Sequence, residues 1–429
     1  MSRAATQRSS FSSAPAAPAG SSRRDGRPPS RPPHRPDTER RPQMTDTTGA
    51  GISESEYRER RERLGAKLRE GGIDALFVAP SSDLEYLTGL ERDLPSFGNV
   101  HYAHGWVTGA LLAPDREPLY VLPRMYVTFH LAGREVGDVV TVNETDDGEA
   151  LFRRAVASVG KLGRVAVGGR TWAETAIELG RAAPDAELVN GTPLVNELRR
   201  VKSPRELELM RRAASIADAT MAAVEPKVLP GVTPIEIHEE VEHQLRAHGS
   251  RCPSFPTHMM VMSDRYLDSQ LPSGHEPLCE GEALMFDFGA VWQGYCSDFG
   301  RTVVAGEPHP EYARCHALVL AAQEAGRAAC APGALAKEVN AACRGPIEDA
   351  GMGQWFKHRM GHGIGVDVHE WPFVSEEDET PLEAGMTFTD EPSIFWDGVL
   401  GTRIEDVVVC AEGGGYYLNE HAREAVVNG

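Results

Sequence analysis

Four carboxylates stand in segments that otherwise read as buried strands. Asp287 lies in LMFDFGA, Asp298 in YCSDFGR, Glu391 in FTDEPSIF and Glu405 in TRIEDVVV, each bracketed by apolar side chains. Taken singly, each acid reads as structural, capping a helix or meeting an arginine, and Arg301 and Arg403 stand nearby. Asp390 and Asp406 are the ordinary comparison. They neighbour Glu391 and Glu405 but face the other way, because successive strand side chains alternate. Taken together, the four acids call for a cation. If EALMFDFG and YCSDFGRT pair as a hairpin, Asp287 and Asp298 come side by side. The last two strands would do the same for Glu391 and Glu405. Four like charges in one pocket are prohibitive unless some protonate or a cation joins them. Two divalent ions match the charge of four carboxylates.

One neutral histidine would complete such a shell without adding charge. The stretch HRMGHGIGVDVHEWP, from His358 to Pro372, offers His358, His362 and His369. His362 qualifies best, because Gly361, Gly363 and Gly365 let the backbone approach closely. Mostly oxygen ligands with one imidazole suit Mn²⁺, Fe²⁺, Co²⁺ or Zn²⁺ and argue against a soft-metal site. His358 reads as a structural hydrogen-bonding residue.

These residues need elements to hold them. The chain has 429 residues, 41% of them hydrophobic, enough for two or three domains with a sizeable core. SESEYRERRERLGAKLREGG opens with a capping-box signature, carries few apolar residues, and reads as a surface helix stopped by Gly71-Gly72. DALFVAP reads as a buried strand, and GALLAPDREPLYVLP as two strands around a turn at Asp115-Arg116. RVAVGG and AELVNG add strands around the helix TWAETAIELGRAA. This gives a smaller α/β domain over 51–197.

A second domain, over 198–429, opens at VKSPRELELMRRAASIADATMAAVEPKV, with Ser203 as cap and Pro204 at the first helical position. TPIEIHEEVEHQLRAHG is another capped helix. Helices over about 310–330 and 335–350 follow the first acid-bearing strands. Pro346 falls inside the second of these and should kink or restart it. Helices alternate with antiparallel strand pairs, so this domain reads α+β.

Residues 1–50 are different material: SSRRDGRPPSRPPHRPDTERRPQ is rich in Arg, Pro and Ser and reads as a disordered basic tail. It lacks the apolar run of a signal peptide, and translation starting at Met44 is an open alternative. The net charge of −19 argues against a nucleic-acid partner. No apolar run reaches the ~20 residues of a membrane span. The seven cysteines have no CxxC spacing and read as reduced thiols of a cytoplasmic protein.

The motifs FDFGAVWQGYCSDFGRTV, HRMGHGIGVDVHEWP, GMTFTDEP and GTRIEDVVV, in that order, resemble those of the pita-bread (M24-type) metallopeptidases. That group holds Xaa-Pro dipeptidases (prolidases), aminopeptidase P and methionine aminopeptidase. VKSPRELELMRRAA is similar to the family's linker into its catalytic domain. SDLEYLTGL resembles a signature of the creatinase-type N-terminal domain found in prolidases. The resemblance covers most of residues 52–429. It implies a pita-bread catalytic domain and two divalent metal ions, Mn²⁺ first and Co²⁺, Fe²⁺ or Zn²⁺ as alternatives. The implied ligands are Asp287, Asp298, His362, Glu391 and Glu405, with Asp298 and Glu405 bridging. The implied reaction is attack of a metal-bridging hydroxide on a small peptide at an Xaa-Pro bond. Glu391 would be the general base, and His369 would donate to substrate or oxyanion. Arg403 would orient a carboxylate, and the protein would be a homodimer.

The chain also departs from the family pattern. Gln270 stands where prolidases carry a histidine, and His275 comes five residues late. MMVMSDRY is methionine-rich, and Ser393 replaces a usual glycine. These departures cluster on the substrate side. They keep open an enzyme acting on a small non-peptide amino-acid derivative, as in ectoine hydrolysis or sulfonium propionate cleavage. A non-catalytic binding module would show eroded ligands, and none of the five is eroded.

Overall fold

The computed structural model describes residues 51–92, 104–131, 136–265 and 274–429. The basic tail and Gln270 lie outside them. The first half begins with α1 (Glu54–Glu70), whose N-cap Ser53 accepts the Glu56 amide at 3.2 Å. Next come β1 (Ala75–Val78), α2 (Ser82–Thr88), β2 (Gly109–Leu112) and β3 (Leu119–Pro123). The turn between β2 and β3 holds Asp115 at φ 58°. The short α3 (Arg124–Tyr126) leads to β4 (Asp138–Val142) and α4 (Gly148–Val159). Then come β5 (Arg164–Val167), α5 (Ala173–Ala182), β6 (Glu187–Asn190) and α6 (Thr192–Arg199).

The six strands form one mixed sheet in the order β4-β3-β2-β1-β5-β6. Every residue of β1 is buried. Leu76 and Val78 join one apolar cluster, while Ala75 and Phe77 join another on the opposite face. A strand covered on both faces has no polar side, so ALFV reads as a continuous apolar run.

As expected, α1 lies on the surface, with most of its residues exposed, and it turns only Arg60, Leu64, Gly65 and Leu68 inward. Arg60 donates to Tyr86 O at 2.9 Å and Tyr295 Oη at 3.1 Å, and rests over the Tyr86 ring. Apolar periodicity gives such an arginine no weight, although its stem and flat guanidinium can line a core when the terminal nitrogens find partners, as both do here.

The second half opens with two capped helices, α7 (Pro204–Val224) and α8 (Pro234–Ala247), each with a complete capping box and proline in the first turn. β7 (His258–Met262), β8 (Glu282–Phe288), β9 (Val291–Trp292), β10 (Tyr295–Cys296) and β11 (Phe299–Ala305) follow. Then come α9 (Tyr312–Ala329) and α10 (Ala336–Asp349). The expected break at Pro346 is absent, and α10 continues through it to Asp349. Pro346 costs the helix the amide bond to Ala342 O, and Gly345 before it, having no side chain, eases the crowding a proline imposes on the preceding residue.

The remaining strands are β12 (Gly361–Gly363), β13 (Glu370–Val374), β14 (Thr387–Asp390), β15 (Ser393–Trp396) and β16 (Leu400–Arg403). They end with β17 (Asp406–Val409), β18 (Tyr416–Tyr417) and β19 (Val426–Asn428). A four-stranded sheet runs β19-β11-β8-β7 and a five-stranded one β13-β12-β14-β17-β18, while β9-β10 and β15-β16 form two-stranded ribbons. Alternation along β8 sends Ala283 and Met285 into the cluster beneath α9 and α10. Leu284, Phe286 and Phe288 enter the cluster that contains α7 and α8 residues. The half is therefore α+β, with helices packed on sheets that are antiparallel apart from the parallel β11–β19 pair. No helix among the described residues is long and apolar enough to cross a membrane.

Candidate metal centre

The acids stand at strand ends, where two sheets meet. β8 and β11 pair antiparallel with Asp287 opposite Gly300, and Asp298 immediately precedes β11. β14 and β17 pair with Asp390 opposite Asp406, which leaves Glu391 just past one strand and Glu405 just before the other. The sheets join where Glu405 N donates to Gly300 O at 2.9 Å and Gly300 N returns to Glu405 O at 3.2 Å. A Cβ on Gly300 would lie 2.8 Å from Glu405 Oε2, so only glycine allows this approach.

The result is a dense acidic cluster. Carboxylate oxygens of Asp287, Asp298 and Glu405 all lie within 4.8 Å of one another. His362 Nε2 is 3.6 Å from Asp298 Oδ2 and 3.6 Å from Glu391 Oε1. Asp298, Glu405, His362 and Glu391 are buried, and Asp287 is partly so. Burial, together with the negative charges of Asp287 and Glu391, pushes the Asp298 carboxyl well above the usual range. Burial and the charges of Asp298 and Asp287 do the same to Glu405.

Gly361 and Gly363 hold His362 at the cluster. A Cβ on Gly361 would fall 1.9 Å from Thr389 O, and one on Gly363 2.7 Å from Glu370 O. His362 Nδ1 lies 3.1 Å from Gly363 O. A carbonyl cannot donate, so Nδ1 carries the proton and the Nε2 lone pair faces the carboxylates. Burial lowers the ring's pKa to about 3, so it is neutral.

Arg403 is the one buried cation in the cluster among the described residues. Its Nη1 lies 2.5 Å from Asp287 Oδ2 and 3.5 Å from Glu405 Oε2, and its Nη2 lies 3.7 Å from Glu391 Oε2. One guanidinium cannot neutralise four carboxylates. Among the described residues, Asp298 Oδ1 and Glu405 Oε2 are buried without a hydrogen bond. Two orphaned carboxylate oxygens, with an imidazole lone pair facing Asp298 Oδ2 and Glu391 Oε1 beside them, fit divalent cations.

Sequence reasoning did not identify Thr389, whose hydroxyl accepts the His362 amide at 3.0 Å and donates to Glu391 Oε1 at 3.0 Å. Ser393, noted only as a departure, accepts Arg403 Nε at 2.8 Å and donates to Glu391 O at 3.1 Å. The signal available was spacing: Thr389 and Ser393 each stand two residues from Glu391.

The remaining candidates separate clearly. His369 is exposed, with its ring 4.1 Å from that of His362. Desolvation and the Arg359 guanidinium lower its pKa. His358 Nδ1 lies 2.7 Å from Arg359 O, and its ring stands between Phe356 and Phe395. Burial lowers its pKa to about 4. His275 is exposed. Of the two nearby arginines, Arg301 turns away from the cluster and donates to Asp406 Oδ1 at 2.9 Å. Asp406 and Asp390 are fully buried behind the site, where Gln323, Arg423 and Tyr417 also donate to them.

The model of the family described as Metallopeptidase family M24 matches residues 208–412. That of the Creatinase/Prolidase N-terminal domain matches residues 60–201. An Xaa-Pro dipeptidase of Pyrococcus horikoshii is 30% identical over 362 residues, covering 83% of this chain and 95% of that one. A putative dipeptidase of Bacillus subtilis is 27% identical over 375 residues, covering 85% and 99%. The crystal structure of a prolidase from Thermococcus sibiricus superposes with a TM-score of 0.79 at 28% identity, covering 88% and 100%.

Proposed function

The chain belongs to metallopeptidase family M24, with a creatinase-type domain before its pita-bread domain, and we propose that it is an Xaa-Pro dipeptidase working through two divalent metal ions. One observation carries the metal reading. The oxygens of Asp287, Asp298 and Glu405 converge within 4.8 Å, and the lone pair of His362 faces the same space. Asp287, Asp298, His362, Glu391 and Glu405 would hold the ions, with manganese expected first and cobalt, iron or zinc as alternatives.

Held by these residues, the ions would supply an acidified water and a Lewis acid for the scissile carbonyl. Glu391 acts as general base and accepts the proton of the attacking water. Thr389 fixes the orientation of that carboxylate through the 3.0 Å bond to Oε1. His369, neutral because its pKa is lowered, still carries one N–H to donate to the carbonyl oxygen as charge develops there. Removing such a donor typically costs about 2.7–4 kcal/mol of transition-state stabilisation. Arg403 holds Asp287 in place through the 2.5 Å contact to Oδ2. The free thiols support a reducing compartment, the cytoplasm. The family resemblance supports a homodimer, which a solution mass measurement tests.

The deciding experiment is a panel of Xaa-Pro dipeptides, Xaa-Pro-Yaa tripeptides and non-proline dipeptides, assayed with and without Mn²⁺ or Co²⁺. Metal-stimulated cleavage of Xaa-Pro dipeptides is expected. About two ions per chain should be found by elemental analysis, and Glu405→Ala should lose them. Protein active without metal would sink the mechanism. Metal-loaded protein inert on every peptide would move the reading to a small amino-acid derivative.

A further inference from the structure

His369 presents a problem of orientation. Its ring is exposed, and among the described residues it makes no hydrogen bond. An oxyanion donor works only when held where the charge will develop. The contact with the His362 ring sets no direction for the N–H, so the backbone that carries the imidazole must be held.

Both acidic residues flanking His369 are tightly held. Asp367 Oδ1 accepts from Arg170 at 2.6 Å, and Oδ2 accepts from Arg199 at 2.7 Å and Ser82 Oγ at 2.5 Å. Glu370 Oε1 accepts from Arg199 at 2.5 Å and from the Asp367 amide at 3.0 Å. Its Oε2 accepts from Lys202 at 3.1 Å. Arg199 also reaches Asp83 Oδ1 at 2.5 Å, and it is only 5% exposed. The loop folds over these groups so closely that a Cβ on Gly365 would lie 2.8 Å from Glu370 Oε1.

The central donor ends α6, in the first half of the chain, while the loop it grips belongs to the second. A buried guanidinium shared among three carboxylates is poor evidence of stability for its own sake, since well-packed apolar side chains often do as well. It is a good device for geometry, because the planar fork fixes the direction of each carboxylate it meets. Glu370 also begins β13 and pairs with Gly363, next to His362, so the same grip reaches the metal-facing strand.

We propose that Arg199 is a positioning residue for His369: through Asp367 and Glu370 it sets the loop that presents the imidazole to substrate. This rests on His369 acting as the oxyanion donor. The test is a double-mutant cycle on an Xaa-Pro dipeptide with Mn²⁺, using Arg199→Met, His369→Ala and both together. Arg199→Met should lower kcat roughly 10–100-fold with KM within about 3-fold and metal content unchanged. In the His369→Ala background the same change should cost less than about 3-fold. Arg199→Lys should recover part of the loss. Losses that multiply in the two backgrounds, or a wild-type kcat in Arg199→Met, would overturn the proposal.

Should Arg199→Met fail to fold, Asp367→Asn takes its place in the cycle. Hydrogen exchange supplies a readout independent of activity. Amides of residues 364–370 should exchange about 10-fold faster in the variant, while segments that Arg199 does not touch exchange as before. Unchanged exchange in that loop rejects the proposal. A wild-type protein inert on every peptide would sink the catalytic reading alone, and the exchange experiment still decides whether Arg199 holds the loop.

Discussion

At the scale of single residues, the site depends on small hydroxyls as much as on its carboxylates. Ser393 fills a position where the family resemblance leads one to expect glycine, and its hydroxyl bridges Arg403 Nε and Glu391 O. Removing it leaves a charged donor buried and unmatched, which typically costs about 1–3 kcal/mol. Ser393→Ala is therefore expected to lower the melting temperature by several degrees. It should also reduce kcat/KM about 10-fold, as loss of a ligand-orienting partner commonly does. Thermal melts and steady-state assays check both, and an unchanged kcat/KM would mean that Arg403 needs no such support. The acids were legible because carboxylates among apolar neighbours are conspicuous. Thr389, Ser393 and Arg199 were not, because a hydroxyl or an arginine at a strand or helix end has many ordinary uses.

At the scale of elements, the chemistry sits where strands stop. Glu391 and Glu405 flank the β14–β17 pair, and Asp298 precedes β11, so each acid stands at the edge of a rigid ladder. Close strand packing then brings His362 in. A methyl on Gly361 would fall 1.9 Å from Thr389 O, far inside contact distance. Gly361→Ala must displace β12 or β14, at a cost of at least ~2 kcal/mol. The expected outcome is a folded protein with a lowered melting temperature and bound metal well below wild type, read by calorimetry and elemental analysis. Full metal occupancy in that variant would show that the strand can yield without moving His362. The helix caps at Ser53, Ser203 and Thr233 follow from local rules that act within one turn. The burial of Arg60 in α1 did not follow, because it finds its partners 26 and 235 residues away.

At the scale of the whole molecule, the charged junction between the two halves ties folding to pH. Burial alone would raise the Asp367 carboxyl. Arg199 and Arg170 outweigh it and hold the group well below the usual carboxylate range. Glu370 is likewise lowered, by Arg199 and Lys202 against its own burial. A depressed folded-state pKa contributes stability that is present above the unfolded value of about 4 and is lost as pH falls below it. The melting temperature should therefore drop on acidification below about pH 4. The gap between wild type and Arg199→Met should narrow over the same window. Melts from pH 7 to pH 3 test this, and a gap constant across that range would show that the junction does not titrate as described.

The sequence by itself determined the class of the catalytic half, the caps of its main helices and the spaced acids and histidines, because each is written in local patterns of burial and turn chemistry. Position alone set Arg301 and Arg403 equally near those acids, and the family resemblance singled out Arg403 without saying which carboxylate it meets. Only the tertiary structure assigned Arg403 to Asp287 and Arg301 to Asp406, and only it gave Asp367 and Glu370 to an arginine some 170 residues earlier. The physical reason is that hydrogen bonds between distant segments depend on strand register and packing, and local periodicity carries no trace of either.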